Sequence, residues 1–311
     1  MHKGVNMTQY EAATRKRTIT AAIIIFVFMP TTVIAGTFLF GQNLYMVFGL
    51  LVIIYAMIPF FMVFERRKPK AREIVLIAMM AALTTVIHLF FHMTVPIKGG
   101  TAMVIISGIA LGPEAGFLIG ALSRFVCNFY MGQGPFTPWQ MFCWGILGFL
   151  AGMVFNKDCM DEIKSRNLRM VAGPVASIVV ALLAAYVIYL IWPTDEGFIG
   201  WRLYLFGFIG LIVGLLIQRG RLPIDGITMA LFTFFVTFII YGGIMNVSAM
   251  VTSSVVPDGR PISWDTLKLL YISGAPYDLL HAGTAAMFIF LFGDTFIRKL
   301  ERIKIKYGIY R

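Results

Sequence analysis

Nine apolar stretches, most near or beyond the ~20 residues a helix needs to cross a ~30 Å hydrocarbon core, constrain this chain more than any motif does. They cover 18–40, 43–64, 73–95, 101–130, 138–155, 170–192, 201–218, 223–247 and 275–298. The fourth is too long for one crossing and carries Gly112-Pro113-Glu114 inside it. Proline cannot continue a helix, and a carboxylate between such residues reads as a turn at an interface. Splitting there gives helices 101–111 and 115–131 and brings the count to ten. The first of the two covers about half the bilayer at ~1.5 Å per residue, so it is either a tilted short helix or a half-helix beside a cavity.

Composition agrees with this reading. Of 311 residues, 59% are hydrophobic and 13% charged, against roughly 45–50% and 25% in soluble domains. A water-soluble globule, a disordered chain and a nucleic-acid binder are therefore excluded, although the formal net charge is +11. The expected fold class is an all-α polytopic membrane protein of about ten transmembrane helices.

Charge placement orients it. With the N-terminus inside, the cytoplasmic segments take all 26 Lys and Arg except Lys98, Arg202, Arg260 and Lys268 outside and Arg124 within a span. That bias is the positive-inside pattern, and it places both termini in the cytoplasm. Residues 18–35 also pass for a signal peptide cleaved after Ala35, but the run is long for one and another span follows closely.

Chemistry-bearing patterns are missing. No GxxxxGK[ST], HExxH, GxSxG or CxxC occurs, and Cys127, Cys143 and Cys159 are too few and too spread for a disulfide framework. No enzyme activity, cofactor or metal is expected. His88 and His92 share a helix face, but without a nearby carboxylate or thiol they suit interhelical hydrogen bonds or ligand stacking better than a metal.

Ionisable and amide side chains inside spans are costly and mark candidate sites. His88, His92, Asn128, Asn246, Asp278 and His281 all fall in the outer halves of their helices, where Trp139, Gln140 and Trp144 open another. Arg124 lies near mid-membrane, where it either pairs with Asp278 or meets a ligand. Asp278 and His281 stand three residues apart and could bond each other. Trp139, Trp192 and Trp201 also suit anchors at the membrane interface. The Gly/Pro-rich loop 132–138, which contains Gln133, is a connector or a lid. Small-xxx-small spacings occur at Ala78/Ala82, Gly112/Gly116/Gly120, Gly148/Gly152 and Gly210/Gly214, and such spacing lets helices approach closely in lipid. Ala78 and Ala82 follow a strongly basic run, which suits docking of a second protein.

Several long strings resemble the substrate-binding subunits (S components) of energy-coupling factor (ECF) transporters. They are FERRKPKARE before the Ala78/Ala82 helix, GPEAGFLIGALSRFVCNF at 112–129, GQGPFTPWQMFCWGILGFLAG at 132–152, APYDLLHA at 275–282 and the tail LERIKIKYG. The resemblance covers about 65–155 and 223 to the end. It implies a six-helix core of 73–95, 96–111, 113–131, 138–155, 223–247 and 275–298 in a prokaryotic plasma membrane. It further implies an importer with a transmembrane coupling subunit docking on Ala78 and Ala82, and two ATPase subunits that supply the missing P-loop. Substrate would bind beneath the outer loops 93–100, 131–138 and 248–274.

The chain then divides into 1–64, a basic tail and extra hairpin; 65–155, core helices one to four; 156–222, a cytoplasmic loop and inserted hairpin; and 223–311, core helices five and six with a basic tail. The expected ligand is a small-molecule micronutrient, a vitamin or precursor, with cobalamin-related compounds the nearest subtype. Its binding set is Asn128, Gln133, Trp139, Gln140, Trp144, Asp278 and His281, with His92 and Tyr271. An aromatic and amide-lined pocket suits a planar, hydrogen-bonding heterocycle. Three rivals are an ion-driven secondary transporter, which calls for inverted repeats and midplane carboxylates, a membrane enzyme acting on lipid through Arg124, Asp278 and His281, and a purely structural scaffold, which leaves the polar outer cluster unexplained.

Overall fold

A computed structural model describes residues 19–20, 23–40, 44–67, 71–94, 97–155, 167–192, 198–218 and 222–309. Several expectations lie outside those residues: the basic tail with Lys3 and Arg15–Arg17, Lys68 and Lys70, Cys159 with Lys157, Lys164 and Arg166, Asp195 and Glu196, Arg219 and Arg221, and Arg311. The described residues are helical, with no strand among them beyond one isolated bridge between Phe155 and Leu222.

The helices are α1 (Ile24–Phe40), α2 (Tyr45–Arg67), α3 (Ala71–Thr94), α4 (Gly99–Leu111), α5 (Pro113–Met131), α6 (Thr137–Val154), α7 (Asn167–Ile191), α8 (Trp201–Ile217), α9 (Gly226–Ser254) and α10 (Trp264–Tyr307). Among the described residues, four stretches suffice for a crossing by length and composition: Ala71–Met93, Ala172–Ile191, Gly226–Ser254 and Trp264–Tyr307.

Every residue of α4 is buried, from Gly99 to Leu111. A helix apolar all round belongs inside a bundle, and α4 is packed on by α3, α5, α6 and α10. Its shortness therefore goes with enclosure by protein rather than with tilt in lipid. The break after it is one residue long. Gly112 takes φ 104° and ψ 169°, a conformation open to glycine, and Pro113 starts α5 at a position where its missing N–H costs nothing.

Close backbone approach holds α4, α5 and α6 together. A Cβ on Gly108 would strike the carbonyl of Gly148, and one on Gly148 would strike the carbonyl of Gly116. The Gly116 and Gly148 positions expected from small-residue spacing thus meet across a helix pair, joined by Gly108, which the spacing did not single out.

At the far end of α4, Lys304 of α10 donates to the carbonyl of Ala110 at 2.9 Å and reaches Glu301 at 2.5 Å. The C-terminal carbonyls of a buried helix need such a donor. One lysine of the basic tail is thus a structural cap, buried at 9% exposure.

α10 differs most from expectation. It runs 44 residues, about 66 Å, rather than 275–298, and α9 continues to Ser254. The loop expected over 248–274 shrinks to 255–263. Capping sets these ends: Ser263 accepts from the Thr266 amide, and Gly308 closes the helix at φ 59°. Hydropathy stops earlier because the added turns carry Asp265, Thr266 and Lys268. α9 also contains a π-helical stretch, Val236–Gly242.

The hairpin α1–α2 lies against α5 and α6, while α7 pairs with α8, and α8 rests on α9 and α10. The two hairpins therefore leave part of α6 and α9 facing a cleft between them.

Candidate functional site: a buried arginine cluster at one end of the bundle

The described residues 97–98 and the connections 132–136 and 255–263 lie at one end of the helices, because successive core helices run antiparallel. Beneath them, α5 and α6 supply most of a polar cluster. Arg124 donates through Nε to Gln140 Oε1 at 2.8 Å, and its Nη1 lies 2.9 Å from His88 Nε2. Asn128 donates to Gln140 Oε1 and to Thr137 Oγ1, both at 3.0 Å. Thr137 in turn accepts from the Gly134 amide at 3.1 Å, and Gln133 Nε2 bonds the Phe125 carbonyl. The Gly/Pro loop is thus stitched to the end of α5.

Trp144 forms the cluster's wall. The Arg124 guanidinium sits 5.3 Å from its ring centroid and the His88 ring meets it edge-on at 4.9 Å. α4 enters between two histidines: the backbone at Gly100 packs on His88, and Thr101 Oγ1 bonds His281 Nε2 at 2.8 Å. Tyr241 meets the His281 ring edge-on at 4.6 Å. His88 Nδ1, His281 Nδ1, Asn128 Oδ1 and Gln133 Oε1 are buried without a partner. Lys98 at the start of α4 gives it no side-chain cap.

Arg124 is 7% exposed and forms no salt bridge among the described residues. The alternative of pairing with Asp278 is not what the fold builds. Asp278 instead accepts from Tyr204 at 2.5 Å and from Asn246 at 3.0 Å, which ties α8, α9 and α10 together. Nor do Asp278 and His281 bond each other, since His281 turns to Thr101. Arg124, Asp278 and His281 therefore sit in three separate bonding groups.

The expected binding residues fall into sets. Asn128, Gln140, Trp144 and Gln133 gather around Arg124 and His88, and His281 stands across α4 from them. His92 is exposed, its ring 6.1 Å from that of His88. Asp278 is buried in the hairpin contact. Trp139 and Tyr271 line a different space, a cavity between the hairpins. Sequence reasoning missed Thr101, Thr137 and Tyr204. Their hydroxyls matter through partners on other helices, which spacing along one helix does not reveal.

Residues 68–198, less than half of the chain, match the family model described as ECF-type riboflavin transporter, S component. No curated protein and no solved structure shows a significant match. The match takes in α3 to α6 and α7, while the resembling strings at 275–282 and in the tail lie beyond it. The resemblance read from the motifs is thus borne out over residues 68–198, where the chain matches the S-component family model.

Proposed function

We propose that this protein is the substrate-capturing membrane subunit of an ATP-driven micronutrient importer, with ten helices crossing a prokaryotic plasma membrane and both termini cytoplasmic. Residues 65–155 and 223–311 form its transport core, and 1–64 and 156–222 add a hairpin each. The observation that carries the substrate side is Arg124. A guanidinium buried in a membrane bundle without a carboxylate is expensive unless something electron-rich completes its surroundings.

The unpartnered atoms of His88, Asn128 and His281 support the same reading, as does the uncapped first turn of α4, whose amides favour an acceptor. A planar vitamin with a carbonyl-rich edge or an acidic group fits these donors, with Trp144 as its stacking face. The riboflavin named by the matching family is such a molecule, and cobalamin-related compounds belong in the same screen.

Arg124→Met tests this. A hydrogen bond from a charged donor contributes about 1.5–3 kcal/mol, so the variant should bind the vitamin roughly 10- to 100-fold more weakly while melting near the wild-type temperature. Unchanged affinity in a folded variant would remove Arg124 from the site.

The coupling side rests on α3. Ala78 and Ala82 lie exposed within an apolar stripe that includes Val75, Met79 and Val86, at 55%, 58% and 62% exposure. Beside its first turns, a groove of about 480 Å³ runs between α3 and the end of α10, lined by Arg72, Val75, Met79, Ile303 and Tyr307. A transmembrane coupling subunit, itself driven by two ATPase subunits, would seat there.

A further inference from the structure

The two added hairpins and the core enclose a second space, separate from the arginine cluster. It measures about 500 Å³ and is walled by α1, α6, α8, α9 and the first turns of α10. Along α6 it reaches from Trp139 to Ile146, and along α8 from Trp201 to Phe208. Each run of eight residues, seven helical steps, rises about 10 Å, so the cavity begins near the helix ends and stops short of mid-bilayer. It therefore spans much of one leaflet, and its walls are almost wholly apolar.

Apart from the Tyr204 and Tyr271 hydroxyls, which bond Asp278 and the Gly243 carbonyl, the polar features gather at one end. Trp139 and Trp201 both line the cavity, and both indole N–H groups are buried without an acceptor, Trp139 at 3% exposure. Just beyond them lie two cations. The Arg202 guanidinium is 4.9 Å from the Trp201 ring, and the Lys268 ammonium is 5.9 Å from that of Trp264. Among the described residues, the carboxylates nearby are Asp265, 3.6 Å from Lys268 and 91% exposed, and Asp278, held behind Tyr204 by its hydroxyl.

We propose that this cavity binds one anionic phospholipid of the outer leaflet. An acyl chain fills the apolar space, ester or phosphate oxygens accept from the two indoles, and Arg202 and Lys268 face the headgroup charge. The site rests on the helices spanning a bilayer in the stated orientation, but not on substrate capture by the core. It also gives the hairpins a shared task, since neither alone closes the cavity.

Gly243 provides the test. It lines the cavity, and a Cβ there would meet nothing nearer than Tyr204 Cδ1 at 3.8 Å, so a larger side chain enters the space without moving its wall. Native mass spectrometry of the protein in mild detergent, titrated with phosphatidylglycerol, should show one lipid per chain surviving activation that strips the rest. Gly243→Leu should abolish that lipid while keeping the melting temperature and vitamin binding. Trp139→Phe, which keeps a ring but loses the donor, should weaken retention about ten-fold. Phosphatidylcholine should be retained less well than phosphatidylglycerol.

Equal lipid retention by wild type, Gly243→Leu and Trp139→Phe would overturn the proposal, as would equal retention of the two lipids. Loss of vitamin binding in a folded Gly243→Leu variant would also overturn it, by assigning the cavity to the substrate. Failure of the importer reading would instead appear as no vitamin binding in any variant, with the lipid still held.

Discussion

Replacing Ala78 and Ala82 together by Trp should abolish ATP-dependent uptake in vesicles containing the coupling and ATPase subunits, yet leave vitamin affinity of the isolated protein within about two-fold. The two residues stand on an exposed face of α3, whereas the arginine cluster draws on a buried side of the same helix through His88. Ala78 and Ala82 are exposed among the described residues, so folding should tolerate two indoles there. They would hold a docking helix away from the groove. A small-residue contact in lipid depends on backbone approach, and its loss removes most of the packing that drives association. Disrupting a central interface position costs about 2 kcal/mol or more, roughly 30-fold in affinity. Co-purification with the coupling subunit should fall accordingly. Loss of vitamin binding with assembly intact would reverse the assignment of the two faces.

The second large effect concerns folding. Gly148→Val should eliminate monodisperse protein, because a side chain there collides with the carbonyl of Gly116, and neither α5 nor α6 can yield without moving the other. Overpacking ordinarily costs about 1–3 kcal/mol, and a clash between two backbones belongs at or above the upper end. The control is Gly173→Ala on α7, where a Cβ would find only Ile217 Cγ2, at 3.9 Å. There the gain in helix propensity should leave stability unchanged or raise it by up to about 1 kcal/mol. Melting in detergent measures both. A folded, equally stable Gly148→Val protein would show that the α5–α6 contact is looser than drawn.

Much of the fold was legible because hydrocarbon imposes length and apolarity on a helix, and the break at Gly112-Pro113 was legible because only special residues make it. The ends of α9 and α10 were not, since a cap such as Ser263 stops a helix independently of hydropathy. α4 shows the same limit from the other side. Its shortness was visible, but its enclosure depends on which four helices surround it. At the site, Arg124, Asn128, Gln140 and Trp144 could be found individually because polar or aromatic groups in apolar runs stand out. Their grouping with His88 and Thr137, and the separation of Asp278 into a contact with Tyr204, follow from helix packing. The role of Lys304 was hidden for a related reason: within a basic tail, nothing local distinguishes the lysine that turns inward to Ala110.

The central claim is that the chain alone holds a micronutrient and needs separate ATPases to import it. Native mass spectrometry of the protein purified in mild detergent, with an absorbance spectrum of the same sample, addresses the first half most directly. One small-molecule vitamin per chain is expected, retained by wild type and by the Ala78→Trp, Ala82→Trp variant and lost from Arg124→Met. A wild-type protein that stays empty and shows no melting shift with riboflavin, cobalamin or other vitamins, yet turns over lipid by itself, would contradict it.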